Sequence, residues 1–381
     1  MLNFQRIYAL FKKEFVEIVR DKRSLVIVFI MPIVMILIYG YAVTFDIKNI
    51  DIGIIDRDNS SLSRGYINKI VSSGYFIPYE NAYNNMDENI KALRRERIKV
   101  IVVIPSDFSF NLKKGKDVKI QYIVDGSIAN TAIIGVGYLQ VLTSNFANNI
   151  KMDFVKSKGI NSKKFPYISP EIRVWYNQEL KSANFVVPGL IAIIMMLVAA
   201  LLTSLTIVRE RENGTYEEIM STPVTSAELI IGKLTPYIII GIIDVLLVTF
   251  FGILWFHVPF RGNIVTLLFF SFLFILCALG MGMLMSSIAK KQEEAIMMTF
   301  FSTLLPSILL SGFAFPLESM PKAIQVFSYF VPARYFLNVL RSIFLKQDVT
   351  ILMLYKEALF LMAVSVFFLV VSARVIKKRK I

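Results

Sequence analysis

Apolar and polar positions along this chain are sorted into long blocks rather than mixed. Six blocks, Leu25–Phe45, Phe185–Val208, Ile230–Phe256, Ile264–Ile288, Ala295–Phe315 and Ala358–Ala373, are apolar almost throughout. A hydrocarbon core of ~30 Å takes about 20 apolar residues of helix, so each block reads as a membrane crossing. The last block is short and is extended by Leu352–Leu354. Ahead of the first, Phe4–Arg23 repeats Phe4, Ile7, Tyr8, Phe11, Phe15, Ile18 and Val19 at helical spacing, with charges on the other face. That is the pattern of an amphipathic helix lying in the inner membrane interface. The length of Leu25–Phe45 and its long basic approach set it apart from a cleaved signal peptide.

Between the first two blocks the material changes. Residues 46–183 are polar and rich in Asn and Lys, with strand-like runs at Ile50–Ile55, Tyr75–Tyr79, Val100–Ile104, Val118–Val124 and Ile172–Tyr176. Ser61–Ser72, Asn85–Arg97 and Ser127–Ser157 read as helices between them. Strands alternating with helices predict a mixed α/β domain. The predicted fold is an α-helical polytopic membrane protein of six transmembrane helices, with this α/β domain inserted between the first and second. In order, the expected parts are an interfacial helix (1–24), the first crossing (25–45), the α/β domain (46–183), a five-helix region (184–373) and a basic tail (374–381).

Lys and Arg set the orientation. Arg6, Lys12, Lys13, Arg20, Lys22 and Arg23 precede the first block; Arg209, Arg211, Lys290 and Lys291 lie in two loops; Arg374, Lys377, Lys378, Arg379 and Lys380 close the chain. The opposite short loops hold only Arg261, Lys322, Arg334, Arg341 and Lys346. Both termini and the 209–229 loop are therefore predicted on the cytoplasmic side of the inner cell membrane, and residues 46–183 outside.

Composition agrees. The chain is 55% hydrophobic and only 18% charged, against ~45–50% and ~25% in soluble domains. The net charge of +14 does not predict a nucleic-acid partner, because the basic residues flank apolar blocks instead of forming one stripe. Cys277 and His257 are the only cysteine and histidine, which excludes an internal disulfide and a Cys-based metal centre. Asp51, Asp56, Asp58 and Asp125 are expected to cap and turn, not to bind a metal, because Asp56–Ser61 and Asp125-Gly-Ser are turn sequences.

The charged segment Arg209–Lys233 is wedged between two apolar blocks. Thr215 with Glu218, and Thr225 with Glu228, have capping-box spacing, and Pro223 ends the first short helix. A compact helix-turn at the membrane surface is expected. Arg211, Glu212, Gly214, Thr215, Glu217, Pro223, Glu228, Gly232 and Lys233 resemble the first intracellular loop of ABC-2 type transport permeases, of the drug-efflux-like branch with a large ectodomain. Further resemblances are Trp175-Tyr176-Asn177, Ala183–Gly189, Ser311–Pro321, and Pro332, Arg334, Tyr335, Leu340, Arg341 and Phe344. The resemblance implies that Glu210, Arg211, Glu212, Gly214, Thr215, Tyr216, Glu217, Glu218 and Pro223 couple the chain to a separate ATP-binding subunit. It implies a second permease chain, identical or different, and an ATP-driven exporter of an amphipathic, drug-like or lipid-like substrate. Export of sodium, peptide or glycan is the alternative within that class.

The chain has no Gly-x-x-x-x-Gly-Lys-Ser/Thr, so no cofactor is expected in it; ATP and Mg belong to the partner subunit. A membrane-anchored sensor using the α/β domain as receptor is the rival of another class, but the tail after Ala373 is too short for a signalling domain. A proton-coupled carrier is expected to show internal repeats, and none is visible. A membrane-embedded enzyme would need paired acids or histidines in the spans. The 316–347 segment, with Pro316, Pro332, Arg334 and Arg341, is too polar to cross. It is expected to form two short helices broken at Pro332 that re-enter the outer leaflet and contact membrane lipid. Pro188, Pro236, Gly241, Gly280, Gly282 and Pro306 are either weak points in the spans or sites of close helix packing. Asp244 is the one ionisable residue deep in a predicted span. Three readings are open for it: a protonated acid bonded to a nearby Ser or Thr, a cavity-lining group that attracts a cationic substrate, or a partner across a dimer interface.

Overall fold

A computed structural model describes residues 3–42, 50–79, 83–114, 116–126, 129–157, 176 and 181–379. The chain divides into two compact units, residues 1–44 with 174–381, and residues 45–173.

The smaller unit is built on a four-stranded sheet of order β2-β1-β3-β4, with β1 Ile50–Asp56, β2 Phe76–Pro78, β3 Val100–Ile104 and β4 Gln121–Val124. β1 pairs parallel to β2 and β3, and β3 pairs antiparallel to β4. Two parallel pairs require crossovers, and these are helices: α3 Ser61–Val71 between β1 and β2, α4 Met86–Arg94 between β2 and β3. α5 Phe108–Lys113 and α6 Ala129–Ser157 complete the unit. Side chains of β1 and β3 alternate between two cores. Ile52, Ile54, Val100 and Val102 join Tyr66, Ile70, Phe108 and Leu139 from α3, α5 and α6. Ile55, Ile101 and Val103 join Ala92 of α4. Burial on both faces explains why these strands read as continuous apolar runs. Asp56 accepts hydrogen bonds from the backbone N–H of Asp58 and Asn59 and from the Ser63 hydroxyl, and Asp58 accepts from Ser109. Asp56 and Asp58 are turn and cap acceptors as expected, whereas Asp51 lies within β1, paired in register with Ile77, and makes no turn. β4 starts later than the expected Val118, and α5 was not signalled by periodicity, being six residues long. The expected strand Ile172–Tyr176 lies, except for Tyr176, outside the described residues.

The larger unit is helical. α1 is Phe4–Arg20, and Asp21 separates it from α2 Lys22–Ala42. α7 Ala183–Ser204 continues after a break at Leu205 as α8 Thr206–Glu212, followed by α9 Thr215–Ser221. α10 Ser226–Phe256 and α11 Ile264–Ile288 come next. α12 Gln292–Thr299 and α13 Leu305–Leu310 are joined by the π-helical turn Phe300–Leu304. α14 Lys322–Ser328, α15 Pro332–Leu345 and α16 Tyr355–Arg379 follow. Among the described residues, five helical stretches are long and apolar enough to cross a membrane: Ala183–Glu212, Ser226–Phe256, Ile264–Ile288, Gln292–Leu310 and Ile351–Lys378. The apolar stretch of α2, Val28–Tyr41, is shorter. Arg374, Lys377 and Lys378 lie in the last turns of α16.

α7 is the central helix, buried along nearly all its length against α2, α10, α11, α15 and the α12–α13 stretch. Gly282 of α11 serves packing: a Cβ there would lie 2.1 Å from the Ala200 carbonyl oxygen of α7. Small residues at such crossings let helix backbones approach where apolar solvent gives no hydrophobic drive. α10 keeps Ile239, Ile243, Leu246 and Phe250 exposed along one stripe.

Candidate functional site

The candidate site starts at the break between α7 and α8. Helix breaks free backbone N–H groups, and here Ser286 of α11 accepts from Ile207 (3.0 Å) and Val208 (3.2 Å). α8 is therefore pinned to α11, with Thr206, Ile207 and Val208 buried. Its last turn is tied to the segment before α12: Arg211 donates to the Ala289 carbonyl (2.7 Å), and Glu212 accepts from the Gln292 backbone (2.9 Å) and its side-chain amide. Gly214 then turns the chain at φ +76°, a left-handed conformation that favours glycine.

Gly214 also corrects one expectation. Thr215 does not cap α9 with Glu218. Gly214 is the N-cap, Thr215 is already helical, and the Thr215 hydroxyl donates back to the Glu210 carbonyl (3.3 Å). The second box forms as expected: Thr225 accepts from Glu228 N–H (3.3 Å), and Glu228 accepts from Thr225 N–H (2.8 Å).

α9 is amphipathic in the plain sense. Tyr216 is buried under the Arg211 guanidinium, 5.2 Å from its ring centre, while Glu217 and Glu218 are exposed. Pro223, also exposed, receives the Arg6 guanidinium on its carbonyl. Of the residues expected to couple, Gly214, Glu217, Glu218 and Pro223 face outward, and Tyr216 and Glu210 face inward. Arg211, Glu212 and Thr215 are engaged within the chain.

Beneath the loop lies a charge cluster. Glu14 is one turn from both Leu10 and Ile18, on the flank of α1 that packs on α10, and is 4% exposed. Its two oxygens accept from Lys233 Nζ (2.8 Å) and Tyr237 Oη (2.9 Å), both on α10. Lys233 is 2% exposed and also contacts Glu210 (2.9 Å), which Lys13 reaches from the other side (2.8 Å). Two cations and two carboxylates balance, as buried charges require. Gly232 makes this contact possible: a Cβ there would lie 2.6 Å from Leu10 Cβ, so only glycine lets α1 come this close to α10. Glu228 holds the start of α1 as well, accepting from Asn3 N–H (2.7 Å). Meanwhile Phe4, Tyr8, Phe15 and Val19 of α1 stay exposed as an apolar stripe. A cavity of about 510 Å³ opens beside the cluster between α1, α8 and α10. The loop, α1 and α10 thus form one ion-paired body. Sequence reasoning marked Gly232 and Lys233 but missed Glu14, Lys13 and Tyr237, because their partners are more than 190 residues away.

Asp244 is 1% exposed, on the face of α10 opposite its exposed stripe. Neither carboxylate oxygen has a hydrogen-bond partner among the described residues. The expected bond to a nearby Ser or Thr is therefore not made. The 316–347 segment forms two helices that meet at Pro332, the first residue of α15. Pro316 caps the short turn Leu317–Ser319, and Arg334 and Arg341 line one cavity.

A family model described as "ABC-2 family transporter protein" matches residues 22–374. The chain is similar to the "Probable multidrug ABC transporter permease YbhS" of Escherichia coli (strain K12), 35% identical over 372 residues, spanning 97% of this chain and 96% of that one. It is 29% identical over 344 residues to the "Probable multidrug ABC transporter permease YbhR" of the same organism, spanning 90% and 91%. With the "Inner membrane transport permease YhhJ", also of that strain, it shares 30% over 353 residues, spanning 90% and 89%.

Proposed function

The chain belongs to the ABC-2 family of transporter proteins, and from that premise we propose that it is the permease subunit of an ATP-driven exporter. A separate subunit hydrolyses ATP and docks on α9 and its flanks. α2 is the first of six crossings, both termini and α9 lie in the cytoplasm, and the α/β unit lies outside. Two permease chains make one transporter; YbhS and YbhR both resemble this chain, so an identical and a different second chain both fit. The names of those two relatives support an amphipathic, drug-like substrate.

The observation that carries the coupling part is the Glu14–Lys233–Glu210 cluster. A push on α9 cannot be absorbed locally, because α8 is pinned to α11 and Glu210 is pinned to α10 and α1. It passes instead to α7 and α10, whose tilting alternates access to the transport path. Asp244, a buried carboxylate without a partner, is the group on α10 that a cationic substrate meets when the spans move. The test is reconstitution with the ATP-binding subunit in vesicles. Substrate-stimulated hydrolysis should need both chains; hydrolysis indifferent to this chain would reject the proposal.

A further inference from the structure

The stretch from α12 to α13 departs from a regular α-helix at the π-helical turn Phe300–Leu304. On one side of it Met297, Phe301, Leu305 and Leu309 are exposed. The other side carries Thr299, Thr303, Ser307 and Ser311, all 0–1% exposed, and α12, the π-turn and α13 each pack on α7. Steps of four residues occur in any helix, but each overshoots a full α-helical turn by about 40°. Over the twelve residues from Thr299 to Ser311, the last hydroxyl would drift about 120° off the inner side. A π-turn takes one residue more and gives back about 100° of that drift. Common burial of the four hydroxyls therefore depends on the wide turn.

Pro306 explains where the turn falls. It has no N–H, and its ring crowds the carbonyl four residues back, that of Ser302, inside the π-turn. The Thr299 carbonyl accepts from the hydroxyls of Ser302 (3.2 Å) and Thr303 (2.7 Å). Such side-chain donors replace backbone bonds that an irregular turn gives up. One turn to either side, the Thr299 and Ser307 hydroxyls have no hydrogen-bond partner among the described residues. Ser and Thr in helices back-bond to the carbonyl four residues earlier and bend the helix. Ser307 thus has toward Thr303 the bond that Thr303 now makes to Thr299. A shorter chain would avoid the irregularity, since about eleven residues complete three regular α-helical turns.

The two halves have different neighbours. α12 starts at Gln292, which donates to Glu212 of α8 (2.9 Å). α13 packs on α14 and α15. We propose that the π-turn is a joint: α13 and α14 swing against α12 while α12 stays tied to α8, and the hydroxyl-to-carbonyl bond steps from Thr303 to Ser307 as the wide turn shifts. The use of this motion in export rests on the transporter reading; the joint itself does not.

Hydrogen exchange, read by mass spectrometry on the full chain in detergent, tests the joint directly. Amides of 300–305 should exchange about tenfold faster than those of 294–298. A straightened variant, with Phe301 deleted and Pro306→Ala, should lose that difference and melt no lower than wild type, while export by the reconstituted transporter falls about tenfold. Thr303→Val keeps the length and removes the hydroxyl, so exchange at 300–305 should rise about fivefold, as loss of one hydrogen bond predicts; Thr303→Ser should match wild type. If the straightened variant does not insert, Thr303→Val decides alone. Wild-type exchange at 300–305 no faster than at 294–298, a straightened variant that melts several degrees lower or exports at the wild-type rate, or unchanged exchange in Thr303→Val would each overturn the proposal. A wild type without ATP-driven export would count against the transporter reading and leave the exchange and melting results standing.

Discussion

Lys233 sits between two carboxylates in a place water does not reach, and that makes it costly to alter alone. Lys233→Met leaves Glu14 buried without its cation and Glu210 with Lys13 alone. Breaking one partner of a buried pair costs about 3–5 kcal/mol. A clear fall in melting temperature of the purified chain is expected. Removing the charges together, as Glu14→Gln, Lys233→Met and Glu210→Gln, should restore much of the loss while coupling stays impaired. A triple variant less stable than Lys233→Met would refute the clamp. Asp244 makes a different demand. Asp244→Asn removes the charge at nearly constant shape, so expression should hold while export of cationic substrates falls selectively; equal loss of neutral substrates, or no loss, would reject cation recognition. Asp244 was visible in the sequence because a lone acid in an apolar run is conspicuous. Glu14 was not, because an acid among the charges of α1 reads as solvated, although its spacing from Leu10 and Ile18 puts it on the flank that meets α10 over Gly232.

At the scale of elements, the loop from α8 to α10 combines local and non-local causes. The Thr225–Glu228 box was legible because both partners lie within one turn. The Thr215–Glu218 spacing misled, because Gly214 takes the turn and shifts the helix start by one residue. Gly214→Ala should cost about 1–2 kcal/mol from the left-handed backbone alone. Gly214→Pro cannot adopt φ +76° at all and should detach α9 from Glu210. Limited proteolysis at 213–223 reads this out: cleavage should rise in Gly214→Pro, and unchanged resistance would mean the turn is not what holds α9. The strands at Ile50 and Val100 were legible as apolar runs between turn residues, whereas the π-helical turn Phe300–Leu304 has no sequence signature that distinguishes it from α-helix.

At the largest scale, the helical unit carries two groups of elements with different chemistry. Near the C-terminal end of α7 lie α1, α8 and the buried ion cluster; near its N-terminal end lies the Arg341 cavity. The long apolar helices were legible from hydropathy, and the family from motif residues. The links between helices were not, since they depend on pairs such as Ser286 with Ile207 that no spacing rule connects. Topology is checked with single cysteines in a Cys277→Ala background. Ser328 is buried, so exposed Phe330 is the better site. Phe330→Cys should react with impermeant reagent from outside, and Ser221→Cys only from the cytoplasm; the reverse pattern would invert the account. The most direct test of the central claim is substrate-stimulated ATP hydrolysis by the reconstituted transporter carrying Glu217→Lys, a change on the exposed face of α9 that touches none of the buried pairs. The account predicts normal membrane insertion with stimulation reduced to the basal rate; stimulation equal to wild type would contradict it.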